Sequence, residues 1–400
     1  MTTQGPSVLA VIVTYGSDLA VLDRELDSLL KQTHGDLRVQ VVDNASANAA
    51  EVRALTESKG ASFLAMPENR GIPKAINTAA KAASADYILA LNNDIVLEPS
   101  AVAEMLAVAI VHPKCAAVAP KTYLSQFPGY FDSIGTLLNE SYSAYNRGIG
   151  EPDIGQYDVS ERTFGACFAA ALLHRKIYLE LGGLEEILFA YYEDVDWSYR
   201  ANMRGYEIWT APYATVIHHH SHAWQKEASQ RKYYFIQRNL LRTALWNLRP
   251  RALARTLMAR YEEHARRYAI DPDYRPVTRR ILWHHLGDLA QAYPTRRRHQ
   301  RGRVVVDHPI LRFSYSAVPH FDPVEYRPLF ALGNLRQAYT RMFEIAQDER
   351  HRLISESLNA LYNRRHGLSM DYVRERLAYV LSDQPSIIQE FLARLEPDRS

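Results

Sequence analysis

The chain is poor in cysteine, nearly balanced in charge and free of long apolar runs. Its two cysteines, Cys115 and Cys167, lie inside apolar runs and lack zinc-ligand spacing, which excludes a disulfide framework and favours a reducing cytosol. A formal net charge of +2 gives no whole-molecule field that would select a partner. We therefore look for function in local patterns.

Two further absences concern membranes. No stretch reaches about 18 uninterrupted apolar residues, which argues against a membrane span. Residues 1–7 are short and polar, without the charged and apolar regions of a signal peptide. We expect a cytoplasmic protein whose membrane contact, if any, is peripheral, at the inner face of the plasma membrane.

Arginine is locally abundant. Five arginines lie between positions 296 and 303, and arginine pairs occur at 266–267, 279–280 and 364–365. They read either as solvated helix faces or as a surface for anionic lipid headgroups or a phosphorylated acceptor. No nucleic-acid-binding motif accompanies them, so nucleic acid is not an expected partner.

The pattern of apolar residues divides the chain in two. Over the first 120 residues, short β-branched runs such as VLAVIVTY at 8–15 alternate with segments of helical spacing. This βαβα succession predicts a mostly parallel sheet covered by helices on both faces. After residue 222 only helical patterns follow, near 224–248, 251–268, 277–292, 324–346, 350–364 and 370–380. We place a domain boundary there, giving domains of 1–224 and 225–400.

Polar residues follow three of the predicted strands directly. They are Thr14 and Tyr15, then Asp43 and Asn44, then Asn92 to Asp94. In parallel sheets ligands bind beyond the carboxyl ends of the strands. These residues are therefore the first candidates for a binding site, although NND alone also fits a polar turn.

Two other clusters carry chemistry. Glu193, Asp194 and Asp196 crowd the start of a predicted helix, where Asp196 and Arg200 are spaced for an i,i+4 ion pair. This spacing leaves Glu193 and Asp194 either to cap the helix or to act as a general base. Histidines occupy 218, 219, 220 and 222, and because side chains alternate along an extended segment, at most two can be ligands of one metal.

The order of these features is similar to that of the family 2 glycosyltransferases, particularly bacterial rhamnosyltransferase-like and galactofuranosyltransferase-like members. The similarity covers residues 7–222. Its segments are VIVTY at 11–15, QVVDNAS at 40–46, ENRGIPKAIN at 68–77, LNNDIVL at 91–97, GG at 182–183, AYYEDVDWSYR at 190–200, RGY at 204–206 and APYATVIHHHS at 211–221.

This resemblance implies a GT-A fold, a doubly wound and mostly parallel α/β sheet, here followed by a mainly helical C-terminal domain. It places a nucleotide site at Thr14 and Tyr15, with Asp43 on the edge of a pyrimidine base. It also implies a set of residues bordering the donor: Asn69, Gly71, Asn77, Asn92 and Asn93.

The resemblance further implies the catalytic groups. Asp94, at the DXD-type position, and His218 are the expected ligands of Mn²⁺ or Mg²⁺, with His219 and His220 as alternatives to His218. Asp194 matches the catalytic base, and Glu193 stands beside it. Because the two positions before Asp94 are both asparagine, Asp94 alone supplies charge there. Beyond the similar segment, Arg238 and Asn239 are expected to brace the site.

The expected reaction is an inverting transfer of a sugar, rhamnose-like or a hexose, from a dTDP- or UDP-sugar to a saccharide or lipid-linked saccharide acceptor, in bacterial cell-surface polysaccharide or glycoconjugate synthesis. The alternatives are a non-catalytic nucleotide-sugar-binding subunit of a glycan assembly complex and a transferase acting on a small natural product. The single glycine of VIVTYGSDL argues against a sugar nucleotidyltransferase or an NAD-dependent dehydrogenase. The helical C-terminal half serves acceptor binding, oligomerisation or a membrane-facing role.

Overall fold

A computed structural model describes residues 5–139, 141–220, 226–305 and 328–364, together with positions 377 and 381. Apart from position 377, the predicted helix at 370–380 falls outside the described residues, as does the predicted domain boundary near 225. Both stay predictions. Within the described ranges, no helix combines the length and apolar character that a bilayer span requires.

The first part of the chain alternates strands with helices, as its periodicity predicts. The elements are β1 Val8–Thr14, α1 Leu19–Leu30, β2 Leu37–Asp43, α2 Ala49–Ser58, β3 Ser62–Ala65, α3 Gly71–Ala82 and β4 Tyr87–Asn92. β1 pairs in parallel with β2 on one side and with β4 on the other, and β2 pairs in parallel with β3. The carboxyl ends of these strands therefore share one edge of the sheet.

The chain then widens the sheet. The next elements are β5 Ile95–Leu97, α4 Ala101–Val111, β6 Cys115–Leu124, β7 Phe131–Ser133, β8 Thr136–Leu138, β9 Ala144–Asn146, β10 Arg162–Thr163, β11 Ala170–His174, α5 Arg175–Glu180, α6 Glu193–Met203 and β12 Glu207–His218. The main sheet has the order β10-β12-β6-β11-β4-β1-β2-β3. β6 and β12 are parallel, whereas β11 runs antiparallel to both of its neighbours. The mostly parallel α/β sheet is confirmed, with one reversed strand between its two parallel groups.

Helices cover both faces of the sheet. Successive side chains of a strand point to opposite faces, so alternate residues of one strand pack in two different cores. On β1, Val8, Ala10 and Ile12 pack in one core with residues of α1, α2 and α4. Val11 and Val13 pack in a second core with residues of α3, α5 and α6. This is the doubly wound arrangement that the sequence predicts.

Helices make up the described C-terminal region. They are α7 Lys226–Asn247, α8 Pro250–Ile270, α9 Arg275–Gln300, α10 Pro328–Ala346 and α11 Glu349–Arg364. α9 runs past the predicted end at 292 and contains Pro294. α7 packs against α6 and α9, so it joins the helical region to the sheet domain. The predicted helical C-terminal region is confirmed for these residues.

Candidate active site

A cavity of about 540 Å³ opens at the carboxyl edge of the sheet. The ends of β1, β4 and β12 and the starts of α6 and α7 meet there. Ten of the twelve predicted site residues line it, namely Thr14, Tyr15, Asn69, Gly71, Asn92, Asn93, Asp94, Glu193, Asp194 and His218. The remaining two, Asp43 and Asn77, are buried outside this lining.

Asp43 is buried at the carboxyl end of β2. Its carboxylate accepts hydrogen bonds from the Thr14 hydroxyl at 3.0 Å, from the Ser46 amide at 2.9 Å and from the Ser46 hydroxyl. These bonds tie the ends of β1 and β2 together. Asn44, the next residue, lines the cavity instead, and its Oδ1 is buried without a hydrogen-bond partner in the described part of the chain.

Gly71 allows close packing at the start of α3. Its φ is +85°, and a Cβ at this position would lie 2.1 Å from the carbonyl oxygen of Phe189. Asn69 Oδ1 accepts the Gly71 amide at 3.0 Å. Asn77 faces the other way, where its side chain bonds the Tyr178 hydroxyl and the backbone of Leu184. Asn77 thus fixes the packing of α3, away from the cavity.

The NND segment turns between β4 and β5. Asn93 donates its side-chain amide to Ser17 Oγ at 2.5 Å, which holds the turn against the β1 loop. Asp94 points towards β12, where its Oδ1 lies 3.2 Å from His218 Nε2. The structure therefore brings together the two residues predicted as metal ligands.

Asp132 and His220 extend this pair. Asp132 Oδ2 lies 2.8 Å from His218 Nδ1, and Asp132 Oδ1 lies 3.3 Å from His220 Nε2. Ligand atoms of Asp132, His218 and His220 all lie within 4.8 Å of one another. Carboxylates with imidazoles suit Mn²⁺-class ions. The His218 and His220 rings stack with their centroids 3.7 Å apart, so both imidazoles lie against Asp132.

The electrostatics of this cluster suit a cation. Burial opposes protonation of His218, but its bonds to Asp132 and Asp94 raise its pKa to about 9. Burial likewise opposes ionisation of Asp132, yet hydrogen bonds from His218 and His220 hold its pKa well below the ordinary range. Positive charge, whether a proton or a metal ion, is therefore stabilised between the carboxylates.

An acid pair faces the cavity from the start of α6. Asp194 accepts hydrogen bonds from the amides of Val195 at 2.7 Å and Phe168 at 3.4 Å. Burial raises the pKa of Asp194 from 3.8 to about 6, and burial together with the Asp194 charge raises the pKa of Glu193 further still. Such a pair can hold one proton and one negative charge near neutral pH, which is how a general base is prepared. The predicted Asp196–Arg200 ion pair is present at 2.9 Å.

A strained loop leads into this pair. Phe189, Tyr191 and Tyr192 have φ values of 67°, 64° and 71°, which are unfavourable for residues with a Cβ. The side-chain amide of Asn239, on α7, donates to three carbonyl oxygens of the loop, those of Leu188, Ala190 and Tyr191, at 2.8 to 2.9 Å. Strain of this kind persists only where the surroundings hold it in place. Asn239 thus braces the loop.

Two cations of α7 lie at the rim of the cavity. Arg231 and Lys232 belong to the lining, and Lys232 Nζ lies 5.9 Å from the ring centroid of Tyr191. Neither residue is among the site residues predicted from the sequence. Their position in RKYYFIQRNLLR, shortly after the histidine segment, is the sequence feature that could have indicated them.

Comparison with known proteins identifies the domain. The family model "Glycosyl transferase family 2" matches residues 9–182. The O-antigen biosynthesis protein RfbC of Myxococcus xanthus is 24% identical over 241 residues, which is 58% of this chain and 19% of that protein. The N-acetylglucosaminyl-diphospho-decaprenol L-rhamnosyltransferase of Mycobacterium tuberculosis is 27% identical over 244 residues, 54% of this chain and 77% of that protein.

A solved structure shares the fold. The crystal structure of GalNAc-T7 with UDP, GalNAc and Mn²⁺ superposes with a TM-score of 0.50 at 14% identity, over 61% of this chain and 48% of that one. The chain thus spans about half the length of that structure and about a fifth of the Myxococcus protein. The GT-A fold expected from the sequence is confirmed. Over residues 9–182 the chain carries a domain of glycosyl transferase family 2.

Proposed function

We propose that this chain transfers a sugar from a pyrimidine nucleoside diphosphate to an acceptor hydroxyl with inversion at the anomeric carbon. One observation carries the proposal: a single cavity holds the Glu193–Asp194 acid pair and the histidine–carboxylate cluster around His218. An acid that can accept a proton and a cluster that can hold a cation are the two components that such a displacement needs.

Asp194 acts as the base. It takes the proton of the acceptor hydroxyl while the hydroxyl oxygen forms a bond to the anomeric carbon and the bond to the diphosphate breaks. Backbone amides of Val195 and Phe168 fix its carboxylate, and its raised pKa matches a base that works near neutral pH. Glu193, whose pKa is higher, keeps its proton and lowers the repulsion beside Asp194.

Asp94, Asp132, His218 and His220 would hold Mn²⁺ or Mg²⁺. Ligand atoms of Asp132, His218 and His220 lie within 4.8 Å of one another, and Asp94 Oδ1 lies 3.2 Å from His218 Nε2. Asp132 and His218 are buried. When bound, the divalent cation neutralises charge on the departing diphosphate. Arg231 and Lys232 at the rim add positive charge for the same group or for a phosphorylated acceptor.

The nucleotide occupies the side of the cavity formed by β1. Tyr15 is 58% exposed and offers a ring for stacking, and Asn44 offers an unpartnered Oδ1 to a base edge. The name of the Mycobacterium relative favours a rhamnosyl donor and a sugar acceptor carried on a lipid diphosphate, and the name of the Myxococcus relative favours a role in surface-polysaccharide synthesis. dTDP-rhamnose is therefore the first donor to test, with UDP-sugars next.

Thermal unfolding with nucleotides tests this proposal. We expect dTDP or UDP with Mn²⁺ to raise the melting temperature and GDP to leave it unchanged. A ligand present at 100 times its Kd stabilises the folded state by about 2.7 kcal/mol. His218→Ala should remove most of the dependence on Mn²⁺. Equal shifts with GDP would contradict the pyrimidine preference. A metal-dependent shift without any turnover would favour the non-catalytic subunit.

A further inference from the structure

Helix α9 presents an apolar stripe to solvent. Trp283, Leu286 and Tyr293 are 74%, 61% and 70% exposed, unusually high values for such large apolar side chains. At about 100° per residue they fall within an arc of roughly 80° on the helix. Of the tryptophans in the described ranges, Trp283 alone is exposed, since Trp197 and Trp246 are buried and Trp209 is half-buried.

Arginines bound the stripe at both ends. Arg279 and Arg297 project within the same arc and are exposed. α9 contains six arginines and a single acidic residue, Asp288. That carboxylate is already taken by Arg242, at 2.6 Å. The outward face of α9 is thus aromatic and apolar in the middle and cationic at its ends.

We propose that this face docks on the surface of an anionic phospholipid bilayer. Tryptophan and tyrosine favour the interface between headgroups and acyl chains, and arginines bind lipid phosphates. An amphipathic helix with these residues lies in the plane of the interface. A second copy of the same face is a poor partner, because pairing the stripe with itself would bring arginine against arginine.

The position of α9 makes this docking useful. The Arg280 guanidinium lies 4.6 Å from the ring centroid of Tyr234 on α7. Arg231 and Lys232, less than one turn before Tyr234, line the active-site cavity. A membrane held against the outward face of α9 therefore lies one helix layer away from α7, the helix that carries these rim residues. The docking itself goes beyond the proposed reaction, and measuring it requires no sugar donor.

Vesicle flotation with the whole chain tests the proposal. We expect binding to vesicles of phosphatidylcholine mixed with phosphatidylglycerol, weak binding to phosphatidylcholine alone, and a blue shift of tryptophan emission on binding. The variant Trp283→Ser/Leu286→Ser/Tyr293→Ser should lose both binding and the blue shift. Its matched control is Ile110→Ser/Val111→Ser, at exposed apolar positions of α4, which should bind like the wild type.

The charge contribution is tested separately. Arg279→Gln/Arg297→Gln should bind anionic vesicles roughly 30-fold more weakly, since each arginine near such a surface contributes a factor of about five. All replaced side chains are exposed, so melting temperatures should stay unchanged. The proposal is wrong if the wild type fails to bind anionic vesicles, or if the serine triple variant binds as well as the wild type. It is also wrong if the stripe instead mediates self-association that the serine variant abolishes.

Discussion

Replacing Asp194 by asparagine should slow catalysis and stabilise the fold. A positioned base contributes about 10²–10⁴-fold to a rate, so Asp194→Asn should lower kcat by at least 100-fold. The amides of Val195 and Phe168 bond different oxygens of Asp194, so asparagine can keep one of these bonds, the shorter one from Val195, with its carbonyl oxygen. We therefore expect little change in affinity for nucleoside diphosphate or Mn²⁺.

The stability gain expected for Asp194→Asn follows from the raised pKa of Asp194. An acid with a pKa near 6 in the folded chain and 3.8 when unfolded binds more protons in the folded state between those values. Wild-type stability therefore falls as pH rises from about 4 to about 6, and stays lower above that. At pH 7 the ionised Asp194 disfavours folding by about 3 kcal/mol, an upper limit that Asp194→Asn should recover.

Urea unfolding in EDTA, at pH 4 and pH 7, measures this effect alongside steady-state turnover. The gain in the free energy of unfolding of Asp194→Asn over the wild type should be small at pH 4 and nearly complete at pH 7. Wild-type kcat should rise as the pH increases through about 6. Glu193→Gln is the matched control: it should also stabilise the fold at pH 7 but keep far more activity. Near wild-type turnover in Asp194→Asn, or a loss of stability at pH 7, would refute the assignment of the base.

Three further changes probe the frame of the site. Asp132→Asn should weaken Mn²⁺ binding at least about tenfold in calorimetry, whereas Asp153→Asn should not; equal affinities would remove Asp132 from the metal site. Gly71→Ala should lower stability by about 2 kcal/mol more than Gly60→Ala, which has a similar φ of +74° but open space around it, and equal melting temperatures would contradict this. Asn239→Ala removes the side-chain amide that bonds three loop carbonyls, of which that of Leu188 keeps its bonds from Arg238 and the Ala190 amide. The loss of the bonds to the Ala190 and Tyr191 carbonyls should cost about 2 kcal/mol or more in urea unfolding, together with a loss of turnover; unchanged unfolding would show that the loop is held by other contacts.

Much of the sheet could be predicted because its signal is local. The apolar runs of β1, β2 and β4 and the helical spacing between them define the parallel core. The polar residues at the strand ends, among them Thr14 and Asp94, then fall at one edge by topology alone. The position of β11 in the sheet could not be predicted from the sequence. Its antiparallel insertion between β4 and β6 depends on pairing between distant segments.

Which side chains contact one another within the site was harder to predict from the sequence. Asp132 comes from an irregular stretch and meets His218 across 86 positions of sequence, so no spacing rule points to it. Asn77 matches the segment that borders the donor, yet its amide is taken by Leu184 and its carbonyl by Tyr178. Such partners are set by tertiary packing, which neither periodicity nor motif order records.

Release of nucleoside diphosphate is the direct signature of the proposed sugar transfer. The purified chain is incubated with dTDP-rhamnose or a UDP-sugar, Mn²⁺ and a saccharide or lipid-linked saccharide acceptor, and the released nucleotide is measured. We expect release of dTDP or UDP that requires both metal and acceptor and is lost in Asp194→Asn and in His218→Ala. Release that persists in EDTA and in Asp194→Asn, or metal-dependent nucleotide binding without any release, would show that the proposed transfer is wrong.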